Sequence, residues 1–243
     1  MTDPSAMDDV GSAAKGAMLR VVPAGQAGGA VLESKAPLGP ALSNLQIEPE
    51  RVDVYFSADV ETDGPIPGPY SMLTLALVKA GTFNGHRFDP APPSSDPFYA
   101  ELCPISDRFE DEALSVNGLD RDRLRHEGRD PADAMTEAAE WIRKNSVGGA
   151  PVLVAYPLSF DWLWLYWYFV RFSRTGSPFN HSRCFDVKTA FAVKSHRPIA
   201  GAGRAELRET LGGIESPHTH RAVDDAREQA EIFARLFSWN GKD

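Results

Sequence analysis

Residues 52–62 read Val52-Asp53-Val54-Tyr55-Phe56-Ser57-Ala58-Asp59-Val60-Glu61-Thr62. Val52, Val54 and Phe56 alternate with Asp53 and Tyr55, the period of two that marks a strand with one face in a core. Residues two apart on a strand share a face, so Asp59 and Glu61 project together from a strand that otherwise reads as core. Two anions side by side repel unless something cationic lies between them, and hard divalent cations such as Mg²⁺ take such oxygen ligands. Taken alone, the pair reads first as an Asp and a Glu capping a turn at a strand end.

Outward from this strand, Gly64-Pro65-Ile66-Pro67-Gly68-Pro69 must be a loop, and the Leu-rich run from Met72 to Lys79 a second, adjacent strand. A Pro-rich loop from Asp89 to Pro97 leads to a third strand at Phe98 to Leu102, completing an antiparallel meander. Pro131 in a first turn, followed by Ala134, Ala138, Trp141 and Ile142 at helical spacing, predicts an amphipathic helix stopped by Gly148-Gly149. Val152 to Tyr156 has the short apolar look of a strand buried on both faces. Helices are expected near Asp161 to Arg174, Val187 to Lys194, Arg204 to Leu211 and Ala222 to Ser238. This order predicts an α/β fold, a mixed sheet covered by helices, with ligands at the carboxyl ends of its strands.

Length and composition bound the rest. With 243 residues, 42% hydrophobic and 24% charged, the chain matches an ordinary soluble domain. Residues 1–50, rich in Gly, Ala, Ser and Pro without a sustained period, bury too little apolar surface to offset ordering entropy. They are expected to be a flexible low-complexity tail ahead of a domain over 51–243. The net charge of −9 argues against broad adhesion to duplex DNA or anionic membrane, while leaving room for a short polyanion at one local site. Cys103 and Cys184 have no CxxC partner, so neither a disulfide framework nor a cysteine-type zinc site is expected, and a cytoplasmic setting is the simplest. The stretch from Met18 to Ala30 is broken by Arg20, Pro23 and Gly25 and reads as no export signal. The apolar run from Pro151 to Val170 contains Pro157 and Asp161, so no membrane span is expected there.

Two further elements carry acids. Asp161 follows the second buried strand in Tyr156-Pro157-Leu158-Ser159-Phe160-Asp161-Trp162. Alone it is an ordinary acid at a helix N-terminus, favoured by the macrodipole. Parallel neighbouring strands would nevertheless deliver Asp59, Glu61 and Asp161 to one edge of the sheet. The other element, His218-Thr219-His220-Arg221-Ala222-Val223-Asp224-Asp225-Ala226, opens the last helix. At about 100° per residue, Asp224 and Asp225 cannot both face one site. His220 is a candidate proton acceptor, and taken singly also an ordinary surface histidine.

Together and in this order, the three elements resemble the three motifs of the DEDDh branch of 3′–5′ exonucleases, which includes ribonuclease T, oligoribonuclease and bacterial proofreading subunits. The first motif is Asp59-Val60-Glu61-Thr62, the second ends in Phe160-Asp161, and the family's H-x4-D spacing selects His220 and Asp225, leaving Asp224 as spacer. The likeness spans roughly 52–238. It departs at Asn117-Gly118, where relatives usually have His-Gly, and at Tyr156-Pro157, where many have His-Asn; neither change removes an acid. The resemblance implies a ribonuclease H-like fold with a mixed five-stranded sheet flanked by helices. It also implies hydrolysis of phosphodiester bonds at a 3′ end to nucleoside 5′-monophosphates, with two Mg²⁺ ions or Mn²⁺ in their place. By the same resemblance Asp59 would bridge both ions, Glu61 and Asp225 would hold one, Asp161 would lie on the other side, and His220 would accept the proton of the attacking water.

The expected partner is the 3′ end of single-stranded nucleic acid, with RNA or short oligonucleotides ahead of DNA. A DNA proofreading or repair exonuclease and an inactive nucleic-acid-binding module are the alternatives. Retention of all four acids and His220 argues against the inactive module, because a decayed site has no reason to keep repelling carboxylates. Thr62, Leu73 and Phe160 are candidate substrate contacts, Leu73 with Met72 as a wedge and Phe160 as a stacker, with core packing the competing reading for the apolar three. Arg121, Arg123, Arg125 and Arg129, and a locally cationic stretch from 171 to 227, suit either a polynucleotide path or a solvated helix face. The helix holding Trp162, Trp164, Leu165, Tyr166, Trp167, Tyr168 and Phe169 is apolar nearly all round, so it should be buried centrally or in a homodimer interface.

Overall fold

The computed structural model describes residues 52–92 and 95–241. The tail expected over 1–50 lies outside the described residues. The first strand, β1 (Asp53–Thr62), pairs antiparallel with β2 (Met72–Phe83), as the alternation and the Leu-rich run predict. The outer edge of β2 carries two short strands end to end: β3 (Phe88–Pro90) against Gly81 to Phe83, and β4 (Phe98–Glu101) against Thr74 to Leu77. On its other side β1 pairs in parallel with β5 (Ala150–Ala155), and β5 with β6 (Cys184–Asp186). The sheet is mixed, as expected, with six strands in the order β3-β2-β1-β5-β6, β4 sharing the rank of β3. It is therefore five strands across, with one more segment than a five-stranded sheet has.

Between β4 and β5 lie α1 (Asp111–Asn117), α2 (Arg121–Glu127) and α3 (Pro131–Asn145). Asp130 caps α3 by accepting the Ala132 backbone N–H at 2.7 Å, ahead of Pro131 in the first turn. Gly149 then lets the chain close on β1, since a Cβ there would lie 2.8 Å from the Val52 carbonyl oxygen. After β5 come α4 (Leu158–Phe172), and, following β6, α5 (Val187–Lys194), α6 (Arg204–Leu211) and α7 (Ala222–Ser238). The last three coincide with the predicted spans. α4 begins three residues before the predicted Asp161, because the Asp186 carboxylate at the end of β6 accepts the Leu158 backbone N–H at 2.6 Å and caps the helix from a distance.

Two apolar layers flank the sheet. Val54, Phe56, Ala58 and Val60 pack with α3 and α4 in one, while Tyr55 packs with α5 and α7 in the other. The period of two therefore turns the Tyr55, Ser57, Asp59, Glu61 face of β1 toward α7. α4 is not apolar on all sides of its environment: Trp164, Leu165, Tyr168 and Phe169 are fully buried, but Leu163, Tyr166 and Val170 are exposed. Within one chain α4 is thus a two-faced helix whose inner aromatics complete the core and whose outer apolar face is left uncovered. Among the described residues no helix is long and apolar enough to cross a membrane.

Candidate active site

The site lies where β1 ends beside the carboxyl end of β5. Asp59 and Glu61 point from β1 toward α7, whose Asp225 meets them, and oxygens of the three side chains lie within 4.8 Å of one another. Asp161 comes from the opposite layer, in the first turn of α4, and its Oδ1 accepts the Val60 backbone N–H at 3.2 Å. That bond ties the second expected motif to the strand between the two acids of the first. Asp161 and Asp225 are almost fully buried. Asp224, the expected spacer, stays out of the cluster and pairs with Thr219 Oγ1 at 3.0 Å.

Like charges this close are costly; two about 4 Å apart repel by about 4 kcal/mol at an effective dielectric near 20. Burial, followed by the neighbouring Asp161, Glu61 and Asp225, pushes Asp59 well above the usual carboxylate range, with Arg204 pulling the other way. Burial, then Asp225 and Asp161, push Glu61 up to about 8. Burial pushes Asp161 up to about 7 against the Val60 hydrogen bond and Arg204. An oxygen-only set of mutually repelling, largely desolvated carboxylates fits a hard divalent cation.

Residues outside the three motifs brace this cluster. Gln229, one turn beyond Asp225 on α7, donates from Nε2 to Asp59 Oδ1 at 2.8 Å while its Oε1 accepts the Tyr156 backbone N–H at 2.8 Å. The second bond orients the amide, so Asp59 always meets a donor. Glu228 is fully buried and bound by Arg204 and Arg208. Arg208 also donates to the Ser216 carbonyl at 3.0 Å, anchoring the segment that leads to the histidines. In that segment His220 sits at φ 57°, and the Thr219 and His220 backbone N–H groups donate to Asp225 at 2.8 and 3.1 Å. The helical spacing of Asp225 and Gln229 was the available signal for Gln229; nothing local pointed to Arg204 or Glu228.

The expected substrate contacts fare unequally. Phe160 is 39% exposed beside Asp161, its ring tilted against that of Trp164 with centroids 6.2 Å apart. The Thr62 hydroxyl is turned inward, donating to the Gly64 carbonyl at 2.8 Å, and the Thr62 carbonyl accepts from Asn117 Nδ2 at 3.0 Å. Leu73 is corrected: with 0% of its surface accessible, like Met72, it is core and presents no wedge to a base. The arginine cluster is paired with carboxylates of the chain itself. Arg121 binds buried Asp63 at 2.8 Å, Arg123 binds Glu101 at 2.8 Å, Arg125 lies 3.3 Å from Asp107, and Arg129 binds Glu137. Only the Asp63 pair is buried; Arg123, Arg125 and Arg129 stay on the surface beside partly or fully exposed carboxylates, which offset part of the positive charge of this face.

A family model described as exonuclease, that of ribonuclease T, matches residues 57–233, which include all the residues of this cluster. The chain belongs to this exonuclease family. It is 36% identical over 187 residues to the 3′-5′ DNA exonuclease Cap18 of Escherichia coli, covering 74% of this chain and 90% of that one. Its fold is similar to that of the nuclease domain of 3′hExo, a DEDDh family member bound to rAMP, with a TM-score of 0.57 at 14% identity over 79% of this chain and 96% of that one. It is also similar to E. coli Exonuclease I in complex with a dT13 oligonucleotide, with a TM-score of 0.57 at 16% identity over 77% of this chain and 41% of that one. This exonuclease is thus a 3′–5′ enzyme on the ribonuclease H-like fold, which it shares with a DEDDh family member.

Proposed function

We propose that this exonuclease removes nucleoside 5′-monophosphates from the 3′ end of single-stranded nucleic acid, using two Mg²⁺ ions for which Mn²⁺ can substitute. The observation that carries the proposal is the convergence of Asp59, Glu61 and Asp225 within 4.8 Å, with buried Asp161 hydrogen-bonded to the strand between them. Asp59, Glu61 and Asp225 would hold one ion, and Asp59 with Asp161 the other. Such a pair supplies activation of a water and stabilisation of the leaving 3′ oxygen.

The chain's own residues do the rest. Gln229 keeps the Asp59 carboxylate in one orientation through its 2.8 Å bond. Asp225 fixes the His220 backbone, and the exposed imidazole on that backbone would take the proton of the attacking water. Phe160 would stack on a base near the terminus, and Thr62 would contribute backbone rather than its hydroxyl. Single-stranded DNA is placed ahead of RNA, reversing the order read from the residues, because the relative at 36% identity is named a DNA exonuclease. A homodimer would pack on the exposed Leu163, Tyr166 and Val170 of α4, and gel filtration at one chain mass would remove it. The free thiols of Cys103 and Cys184 support a cytoplasmic setting.

The test uses 5′-labelled single-stranded DNA and RNA of one sequence with Mg²⁺, Mn²⁺ or EDTA. Stepwise shortening from the 3′ end that needs metal and favours DNA is expected. Shortening of RNA alone would reverse the sugar assignment, and no cleavage of either would end the proposal.

A further inference from the structure

Asp225 belongs to a second convergence that the catalytic reading leaves unused. His218 Nδ1 lies 3.0 Å from Asp225 Oδ1, and ligand atoms of His218, His220 and Asp225 lie within 4.8 Å of one another. The two imidazole rings are 4.7 Å apart, brought together across Thr219 by the left-handed backbone of His220 at φ 57°. Both histidines reach solvent while Asp225 is almost fully buried, so two exposed ligands stand over one buried ligand.

The donor set differs in kind from the catalytic one. Imidazole suits zinc and its neighbours, whereas Mg²⁺ keeps to oxygen and water. Bonds of about 2.0–2.1 Å at tetrahedral angles separate two ligand atoms by about 3.3 Å, close to the His218–Asp225 spacing, and rotation of the exposed His220 ring closes the remainder. Three protein ligands leave a fourth position for water. Glu228 Oε2 lies 3.4 Å from His218 Nδ1 but is held by Arg204 and Arg208, and is not counted as a ligand.

We propose that His218, His220 and Asp225 form a binding site for a divalent transition cation of the zinc class, and that its occupancy switches the exonuclease off. An ion there takes Asp225 from the carboxylate cluster and His220 from proton transfer at once. The inhibitory consequence rests on the catalytic reading of those two residues, whereas binding of the ion does not.

The experiment titrates Zn²⁺ into the metal-stripped full chain by calorimetry, for the unaltered protein, His218→Ala, His218→Gln and Glu61→Gln. Glutamine keeps an N–H donor toward Asp225 but is a poor zinc ligand, separating ligation from support of the loop. The tighter zinc event should weaken by at least about tenfold in both His218 variants and persist in Glu61→Gln. In a parallel Mg²⁺-supported assay, with each protein compared with its own zinc-free rate, the zinc concentration for half-inhibition should rise about tenfold in His218→Ala. Equal zinc affinity with and without His218, or loss only in Glu61→Gln, would overturn the site. Inhibition that ignores His218 despite its zinc binding would overturn the switch. A protein inert in Mg²⁺ would sink the catalytic reading, while calorimetry would still decide the zinc site.

Discussion

Asp63 and Asp59 lie four residues apart at the end of one strand and are treated in opposite ways. Asp63, fully buried, receives Arg121 at 2.8 Å and binds the Ser71 backbone N–H, which pins the loop between β1 and β2. Asp59 has an amide for a neighbour and three further carboxylates around it, with Arg204 acting only through space. The fold has arginines to spare for buried acids, as Glu228 with its two shows. Where it withholds them, the missing positive charge has to come from outside the chain. Neutralised acids here are structure; the acids left unneutralised are the site.

The largest effect expected from this contrast is at Asp59. Asp59→Ala should lower Mg²⁺-dependent cleavage of single-stranded DNA on the order of 10⁴-fold, about 5 kcal/mol at 1.36 kcal/mol per decade. The same change should raise the melting temperature in EDTA, because repulsion is removed; a protein that both loses activity and melts lower would break the comparison. At Asp63 the signs invert. Arg121→Ala strands a buried carboxylate and should cost about 3–5 kcal/mol of stability, read by urea denaturation, and a cost below about 1 kcal/mol would show that Asp63 does not need its partner.

Smaller effects sharpen the picture. Gln229→Leu, which removes the hydrogen-bond donor that meets Asp59 at 2.8 Å, should weaken Mg²⁺ activation by about 10–100-fold with little change in the fold, measured as the metal concentration for half-maximal rate. The smallest effect expected is a pH slope. Glu61, near 8, and Asp161, near 7, hold protons more tightly folded than unfolded. Their contribution to metal-free stability is fully present below their ordinary values of 3.8 to 4.5, shrinks as pH rises from there, and is gone above about 8. Thermal melts in EDTA should therefore decline over that range, and the gain in melting temperature on adding Mg²⁺ should grow over the same range. A flat profile in both would show that the carboxylates are already neutralised from within.

Much of this was legible in residue order. Alternation in β1 put Asp59 and Glu61 on one face, and α5, α6 and α7 end where their turn residues and patterns stop. β3 and β6, three residues each, are too short to carry a period, and exist because a longer neighbour offers an open edge. Leu73 looked available because it follows a proline loop; its burial depends on what packs over β2 from afar. Which of the arginines between 121 and 129 is buried could not be read locally, because their partners Asp63, Glu101, Asp107 and Glu137 come from other elements; only Arg121 is taken inside.

The sequence by itself determined the strand that bears two acids on one face, the helix that bears a third with His220 ahead of it, and the membership of the whole in an exonuclease family. Those are properties of local period and spacing, which the chain carries wherever it goes. Only the tertiary structure decided which charges find partners. Asp63 and Glu228 were matched with arginines from other elements, and Asp59 was left to Gln229 and an external cation. His218 was brought against Asp225. Coulombic pairing acts over a few ångströms of space rather than along the chain, so it is settled when the sheet and α7 come together.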